Sequence, residues 1–167
     1  MSLSLLGWLF AIGVLVHNAE EALLLPAWSL SAGRWHAPVV SGVFRFAVAV
    51  LTVLVFVAAW LAAVGGSGSL GAYFITGYAL AMLLNVFIPH LTATIVLRRY
   101  APGTTTALLF NLPLGGCLVY RALTEGYVNS TVFAVSGPLI VLGILASIPL
   151  LFAIGGKLTL RSRGTPR

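Results

Sequence analysis

The sequence predicts an all-α integral membrane protein, a bundle of five transmembrane helices with its N-terminus outside and its C-terminus in the cytoplasm. Its 167 residues are 60% hydrophobic and only 7% charged, whereas soluble domains are about 45–50% apolar and about 25% charged. Five apolar stretches reach the roughly 20 residues that a helix needs to cross a bilayer. Lysine and arginine collect on one side of the resulting topology.

We expect these spans at about 3–26, 39–64, 70–97, 104–120 and 131–154, followed by a basic tail at about 155–167. Glycine, proline and serine in the connections are typical of turns. The N-terminus carries neither a basic region nor a small-residue cleavage site, so we expect the first span to remain in the mature protein. The chain therefore predicts a single transmembrane domain over residues 1–167.

The basic residues set the orientation. One side of the topology collects seven of them, and the other side collects Arg121 alone. The seven are Arg34, Arg98, Arg99, Lys157, Arg161, Arg163 and Arg167. Because cytoplasmic loops are enriched in lysine and arginine, the C-terminal tail is expected in the cytoplasm. The enrichment of basic residues on the cytoplasmic side also explains the net charge of +6 better than nucleic-acid binding does. Membrane lipids are the expected partners.

The segment His17-Asn18-Ala19-Glu20-Glu21 places three ionisable side chains inside the first span. Such a side chain at the bilayer centre costs about 2.5–3.5 kcal/mol on insertion scales, so these groups should face the bundle interior. Residues at i, i+3 and i+4 share one face of a helix. His17, Glu20 and Glu21 are therefore expected to project together.

Polar residues of three further spans are predicted at a similar depth. At 1.5 Å per residue, His17, His90, Arg45 and Asn111 lie about 8–13 Å from the cytoplasmic ends of their spans, and Glu21 about 7 Å. This common depth predicts one buried polar site in the cytoplasmic leaflet.

Two prolines support a cavity at this depth. Pro89 frees the backbone carbonyl of Asn85, four residues earlier, and directly precedes His90. Pro113 follows Asn111 by two residues. Polar side chains beside interrupted hydrogen-bond ladders indicate the wall of a cavity rather than a surface facing lipid.

The order of these residues resembles the small bacterial multi-pass membrane proteins named for an HxxEE motif. The matching residues are His17-x-x-Glu20-Glu21, then Asn85 and His90, then the turn Tyr100-Ala101-Pro102-Gly103. The resemblance covers most of residues 10–120. It implies a polar site within the bacterial inner membrane. The residues Tyr100–Gly103 are in themselves typical of a turn, and a functional Tyr100 would lie at the mouth of the cavity. Because the family's activity is uncharacterised, the resemblance implies little about the chemistry.

One spacing differs from the family pattern. Four residues separate Asn85 from His90, whereas the family pattern has three. On a regular helix the two side chains would then point about 140° apart. A π-bulge at Pro89 would absorb the extra residue and return both to one face, and such bulges are frequent at functional sites.

The residue types at this site predict metal binding. His17 and His90 with Glu20 or Glu21 provide two imidazoles and a carboxylate, as in zinc sites that keep an open fourth position. Iron or manganese would suit the same ligands. Glu20, Glu21 and His90 are then the candidate catalytic residues. Candidate substrate-binding residues are Arg45, Asn85, Tyr100 and Asn111.

The favoured function is a metal-dependent membrane enzyme, a hydrolase, oxidoreductase or isomerase, that acts on a lipid-like or apolar substrate. A metal-free enzyme would use the same groups for acid–base chemistry. A proton- or ion-coupled transporter would use buried Glu and His as a pathway. A structural or partner-binding protein would instead pair Glu20 or Glu21 with Arg45. A di-iron centre would need the additional carboxylates of a homo-oligomer. The sequence contains no nucleotide, haem or nucleic-acid motif.

Overall fold

The computed structural model describes residues 1–33 and 36–163, and within these ranges the secondary structure is helical, without strands. Five helices are long and apolar enough to cross a membrane, which confirms the predicted number. They are Leu3–Ser29, Ser41–Gly65, Leu70–Leu97, Thr104–Thr124 and Ser130–Thr159, numbered here as spans 1 to 5. Arg34 and Arg167, two of the residues that indicate the orientation, lie outside the described residues.

Two spans change helix type where they carry proline. Span 3 is α-helical at Leu70–Asn85, π-helical at Val86–Leu91 and α-helical again at Thr92–Leu97. Span 4 is π-helical at Ala107–Gly115, between α-helical segments Thr104–Thr106 and Gly116–Thr124. The change of helix type expected at Pro89 is present, but the segment is a kink rather than a continuous π-bulge, and the Ile88–Pro89 peptide bond is cis. Within it, Ile88 leaves the helical region, at φ −130° and ψ 113°.

Two helices, span 4 and the last helix, extend beyond the C-terminal ends predicted for them. Span 4 continues beyond the expected 104–120 to Thr124, because its last turn is polar rather than apolar. There Arg121 Nε donates to Glu125 Oε1 at 2.5 Å, an i, i+4 pair that supports a helix end. The last helix continues to Arg163, so most of the predicted tail is helical.

The distribution of polar and apolar side chains is the reverse of that in a water-soluble bundle. His17, His90 and Asn111 are buried, whereas large apolar residues on the outer faces, such as Leu70, Val135 and Leu139, are more than half exposed. Lipid favours such an outer surface. Span 3 packs against spans 2, 4 and 5, and span 1 packs against spans 2 and 4. The polar segment of span 1 thereby lies close to the π-helical part of span 3.

Candidate metal centre

The two glutamates of the HxxEE segment flank His17 on the surface of span 1. At 100° per residue, the i+3 position lies about 60° to one side of His17 and the i+4 position about 40° to the other. Glu21 faces the imidazoles, whereas Glu20 faces the turn that joins spans 3 and 4. The adjacent carboxylates therefore occupy different environments, which their spacing from His17 explains.

Glu21 lies between the two histidines. Its Oε1 is 3.3 Å from His90 Nε2, and its Oε2 is 3.8 Å from His17 Nε2. One ligand atom from each of the three residues lies within 4.8 Å of the others. His17 is 0% exposed and His90 2%, while the Glu21 side chain is 14% exposed. These three side chains are therefore a candidate ligand set for one metal ion.

The π-helical segment brings His90 to this cluster. His90 is buried, and both it and Asn85 line the same cavity as His17 and Glu21. The extra residue between Asn85 and His90 is thus accommodated by the backbone without separating the two side chains from the site.

Gly103 allows the turn between spans 3 and 4 to approach both imidazoles. A Cβ atom at this position would lie 2.6 Å from His90 Cε1 and 2.9 Å from His17 Cε1, which is closer than real Cβ atoms come. Gly103 also has a φ of +92°, in the region that favours glycine. Any other residue would push the turn and the histidines apart.

The same turn determines the tautomer of His17. Its Nδ1 lies 3.1 Å from the Gly103 carbonyl oxygen and 3.2 Å from Thr106 Oγ1. A carbonyl oxygen can only accept, so Nδ1 carries the proton and donates. His17 Nε2 therefore presents its lone pair towards Glu21. A backbone or carboxylate partner on one ring nitrogen commonly orients a histidine whose other nitrogen binds a metal.

Glu20 accepts hydrogen bonds from this turn and from the first turn of span 4. Its Oε1 accepts hydrogen bonds from the Tyr100 hydroxyl and from the Gly103 backbone N–H, the latter at 3.0 Å. Its Oε2 accepts from Thr106 Oγ1 at 2.6 Å. Partial burial, and then the bond to the Glu20 carboxylate, raise the pKa of Tyr100 above its usual value. Glu20 thus holds the turn against His17 and lies outside the ligand cluster.

The remaining candidate residues are distributed differently. Arg45 is exposed and donates to the Ala22 carbonyl at 3.1 Å. The Arg45–glutamate pair of the structural alternative is absent from the described ion pairs. Arg45, predicted to bind substrate, is not among the described cavity-lining residues. Asn111 is 0% exposed, and neither atom of its amide has a hydrogen-bond partner within the described ranges. Tyr100 and Asn111 also lie outside the cavity lining.

Thr106 was not anticipated from the sequence. It bridges Glu20 and His17 through one hydroxyl group. It belongs to the run Thr104-Thr105-Thr106 that follows the Tyr100–Gly103 turn, and nothing in the sequence distinguishes it from its neighbours.

The cluster forms part of the wall of a cavity of about 470 Å³. Small-molecule sites are typically about 300–1,000 Å³ and mostly apolar with a few convergent polar groups. Spans 1, 2, 3 and 5 supply most of this lining, which is predominantly apolar. The arrangement suits a molecule that has one polar end.

Comparison with known proteins agrees with these features. A family model described as a protein of unknown function with HXXEE motif matches residues 8–118. The chain belongs to this HXXEE family. An uncharacterised Bacillus subtilis (strain 168) protein, YrkK, is 33% identical over 150 residues, which cover 90% of this chain and 95% of YrkK. No solved structure matches the chain.

Proposed function

We propose that this HXXEE-family protein is a metal-dependent membrane enzyme that binds a divalent cation through His17, Glu21 and His90. One observation carries the proposal. The buried Nε2 atoms of His17 and His90 both face the Glu21 carboxylate, and neither has a hydrogen-bond partner among residues 1–33 and 36–163.

Electrostatics supports a cation at this position. The His17 lone pair and the Glu21 carboxylate are both electron-rich, and polar groups left unpaired in a low-dielectric interior are costly. A cation shared by the three side chains would remove that cost. The alternative of pairing Glu21 with Arg45 is not supported, since the Arg45 guanidinium bonds to a backbone carbonyl instead.

The distances also suit a small metal ion. Donor atoms about 2.0–2.1 Å from a tetrahedral zinc ion lie about 3.3 Å from one another. The Glu21 Oε1–His90 Nε2 distance is 3.3 Å, and the three ligand atoms all lie within 4.8 Å of one another, so side-chain rotation would have to close the site around an ion. Two imidazoles and one carboxylate would leave a position open for water or substrate. Zinc, iron and manganese all fit this ligand set.

The open position faces a predominantly apolar cavity, which favours a lipid-like or apolar substrate. A metal there would activate water or polarise a substrate oxygen, which suits hydrolysis or isomerisation, and iron would suit oxidation. The lysine and arginine asymmetry further supports an inner-membrane protein whose N-terminus is outside and whose site lies in the cytoplasmic leaflet.

A proton pathway is the second candidate, and one feature favours it. Hydrogen bonds run from Tyr100, which is 45% exposed, through Glu20 and Thr106 to the fully buried His17. A chain of this kind would connect water with Glu21 without any metal. Proton uptake by liposomes that contain metal-free protein would favour this function.

Metal content tests the proposal directly. The protein, purified with a tag that contains no histidine, would be assayed for metal together with the variants His17→Ala, His90→Ala and His36→Ala. We expect about one ion per wild-type chain, loss of the ion in the first two variants, and retention in His36→Ala, because His36 lies outside the ligand cluster. Folded wild-type protein that binds no zinc, iron or manganese would refute the proposal.

A further inference from the structure

We infer that the cavity binds a single-chain amphiphile with an anionic head group, and that this head group occupies the open position beside His17, Glu21 and His90. The inference rests on the proposed metal site and names its substrate class. It depends on how polar and charged groups are distributed around the cavity.

The cavity has an apolar body. Span 2 contributes Phe44, Ala47 and Val48 to its wall, and span 5 contributes Ile144 and Phe152. Tyr78, the tyrosine among the described lining residues, donates its hydroxyl to the Leu51 carbonyl at 3.0 Å. An apolar surface of this kind binds a hydrocarbon chain and leaves a polar molecule without hydrogen-bond partners.

The polar groups concentrate at the proposed metal site. Asn85 lines the cavity together with His17, and its Oδ1 has no hydrogen-bond partner in the described part of the chain. Asn18, next to His17 in sequence, also lines the cavity and donates to Thr52 Oγ1 at 2.8 Å. The remaining described lining is predominantly apolar, and its other polar side chains are Trp28, His36, Tyr78 and Thr92. A molecule that fills the cavity therefore meets a cluster of polar groups beside His17 and mainly hydrocarbon elsewhere, which describes an amphiphile.

Charge selects the type of head group. Among the described lining residues, Glu21 is the only carboxylate, and neither lysine nor arginine contributes to the wall. A divalent cation bound to Glu21 and two neutral imidazoles leaves roughly one net positive charge on the cavity side. The second nearby carboxylate, Glu20, lies outside the described lining and accepts hydrogen bonds from Tyr100, Gly103 and Thr106. In a low-dielectric cavity the net positive charge strongly favours an anionic group over a neutral or cationic one.

One rim of the cavity adds a second positive charge. The Arg99 guanidinium lies 5.2 Å from the ring centroid of Trp28, a lining residue, and its NH2 nitrogen donates to the Ser31 carbonyl at 2.7 Å. Neither contact involves a carboxylate, so the Arg99 charge is not neutralised by these partners. An anion approaching this rim would be attracted before it reaches the metal site.

The size of the cavity suits one chain rather than two. Its volume of about 470 Å³ lies in the lower half of the range of about 300–1,000 Å³ for small-molecule sites. We therefore expect a molecule built like a long-chain carboxylate.

Native mass spectrometry tests this inference, because it counts the metal and the amphiphile on the same protein molecule. Zinc-loaded protein in dodecyl maltoside micelles would be offered hexadecanoate, hexadecanol, hexadecyltrimethylammonium and dihexadecanoyl phosphatidate in competition. We expect hexadecanoate to bind at least about tenfold more tightly than each competitor. Removal of the zinc by a chelator should abolish this preference.

Filling the cavity provides the matched control. Ala47 lines the cavity, whereas Ala49 on the same helix is exposed. Ala47→Leu should weaken hexadecanoate binding at least about tenfold while zinc stays bound, and Ala49→Leu should leave both unchanged. If Ala47→Leu fails to fold, Ala93→Leu, on span 3 and also in the lining, replaces it.

The outcomes separate the two proposals. Zinc-loaded protein that shows no preference for hexadecanoate, or that prefers the two-chain phosphatidate, overturns the substrate inference and leaves the metal site intact. Protein that binds no metal under any condition refutes the proposed function itself, and the inference with it. Retained hexadecanoate preference in folded, zinc-loaded Ala47→Leu protein would place the binding site elsewhere and also overturn the inference.

Discussion

The imidazole rings of His17 and His90 lie edge to face, with centroids 4.9 Å apart and planes inclined at 87°. They belong to spans 1 and 3, and the turn at Gly103 contacts both rings. Two histidines from different helices, with a carboxylate between their Nε2 atoms, are a candidate ligand set in which each side chain would depend on the other two. This interdependence leads to the first prediction.

Replacement of His17 and His90 with alanine should have strongly non-additive effects on metal affinity. Each single replacement should weaken metal binding by more than the about 10–100-fold that is typical for residues that only hydrogen-bond to a ligand. The double variant should bind metal little more weakly than the single variants, because ligands of one site are coupled. Zinc titration of the four proteins measures this. Fully additive losses would indicate that the histidines act at separate sites.

Glu20 and Glu21 should differ in their roles although they are adjacent. Glu21→Gln should lose the metal, because it removes a ligand charge. Glu20→Gln should bind it about 10–100-fold more weakly, since Glu20 supports His17 only through Thr106 and the turn. Glu125→Gln, at the exposed pair with Arg121, is the control and should bind normally.

The visible spectrum of bound Co²⁺ distinguishes the roles further. We expect Glu20→Gln to keep the wild-type spectrum once it is saturated, because its metal ligands are unchanged. Thr106→Val should bind metal about as weakly as Glu20→Gln does. Thr106→Ser should bind metal with wild-type affinity, because serine keeps the hydroxyl. An altered spectrum in Glu20→Gln would instead make Glu20 a direct ligand.

Gly103→Ala should disrupt the site itself. Placing alanine in a left-handed conformation costs about 1–2 kcal/mol, and its Cβ would also overlap both imidazoles. Gly126→Ala is the matched control, because Gly126 has a φ of +68° with no atom within 4 Å of the added Cβ. Both variants should melt at a lower temperature than the wild type, but only Gly103→Ala should lose metal. Metal retained at wild-type affinity in Gly103→Ala would show that the turn does not position the histidines.

The orientation in the membrane is also testable. With the N-terminus outside, a reporter fused after Gly66 should lie outside the cell, and one fused after Arg167 should lie in the cytoplasm. Alkaline phosphatase activity and green fluorescent protein fluorescence report the two compartments. Both reporters on the same side would contradict the five-span topology.

The sequence predicts the spans well because apolar length alone determines them. It also indicates the π-helical segment of span 3, since the extra residue between Asn85 and His90 needs a local change of helix type. Helix spacing predicts that His17 and both glutamates share a face. It does not predict which glutamate faces His90, because that depends on where the Tyr100–Gly103 turn lies in three dimensions.

Arg45 shows the limit of an estimate based on depth. Its position along span 2 matches the depth of the site, but the rotation of the helix about its axis directs the side chain towards the Ala22 carbonyl, outside the cavity. Asn111 is buried yet lies outside the cavity lining for a related reason, since depth does not specify direction. Thr106 was missed because only the folded turn brings its hydroxyl to His17 and Glu20.

X-ray absorption at the metal edge of zinc-loaded protein tests the proposed site most directly. We expect two imidazole nitrogens at about 2.0–2.1 Å and a carboxylate oxygen at about 2.0–2.2 Å, with one imidazole lost in His17→Ala and in His90→Ala. The His36→Ala spectrum should match that of the wild type. A wild-type spectrum with no imidazole scattering, or one unchanged in both His17→Ala and His90→Ala, would contradict a metal centre at His17, Glu21 and His90.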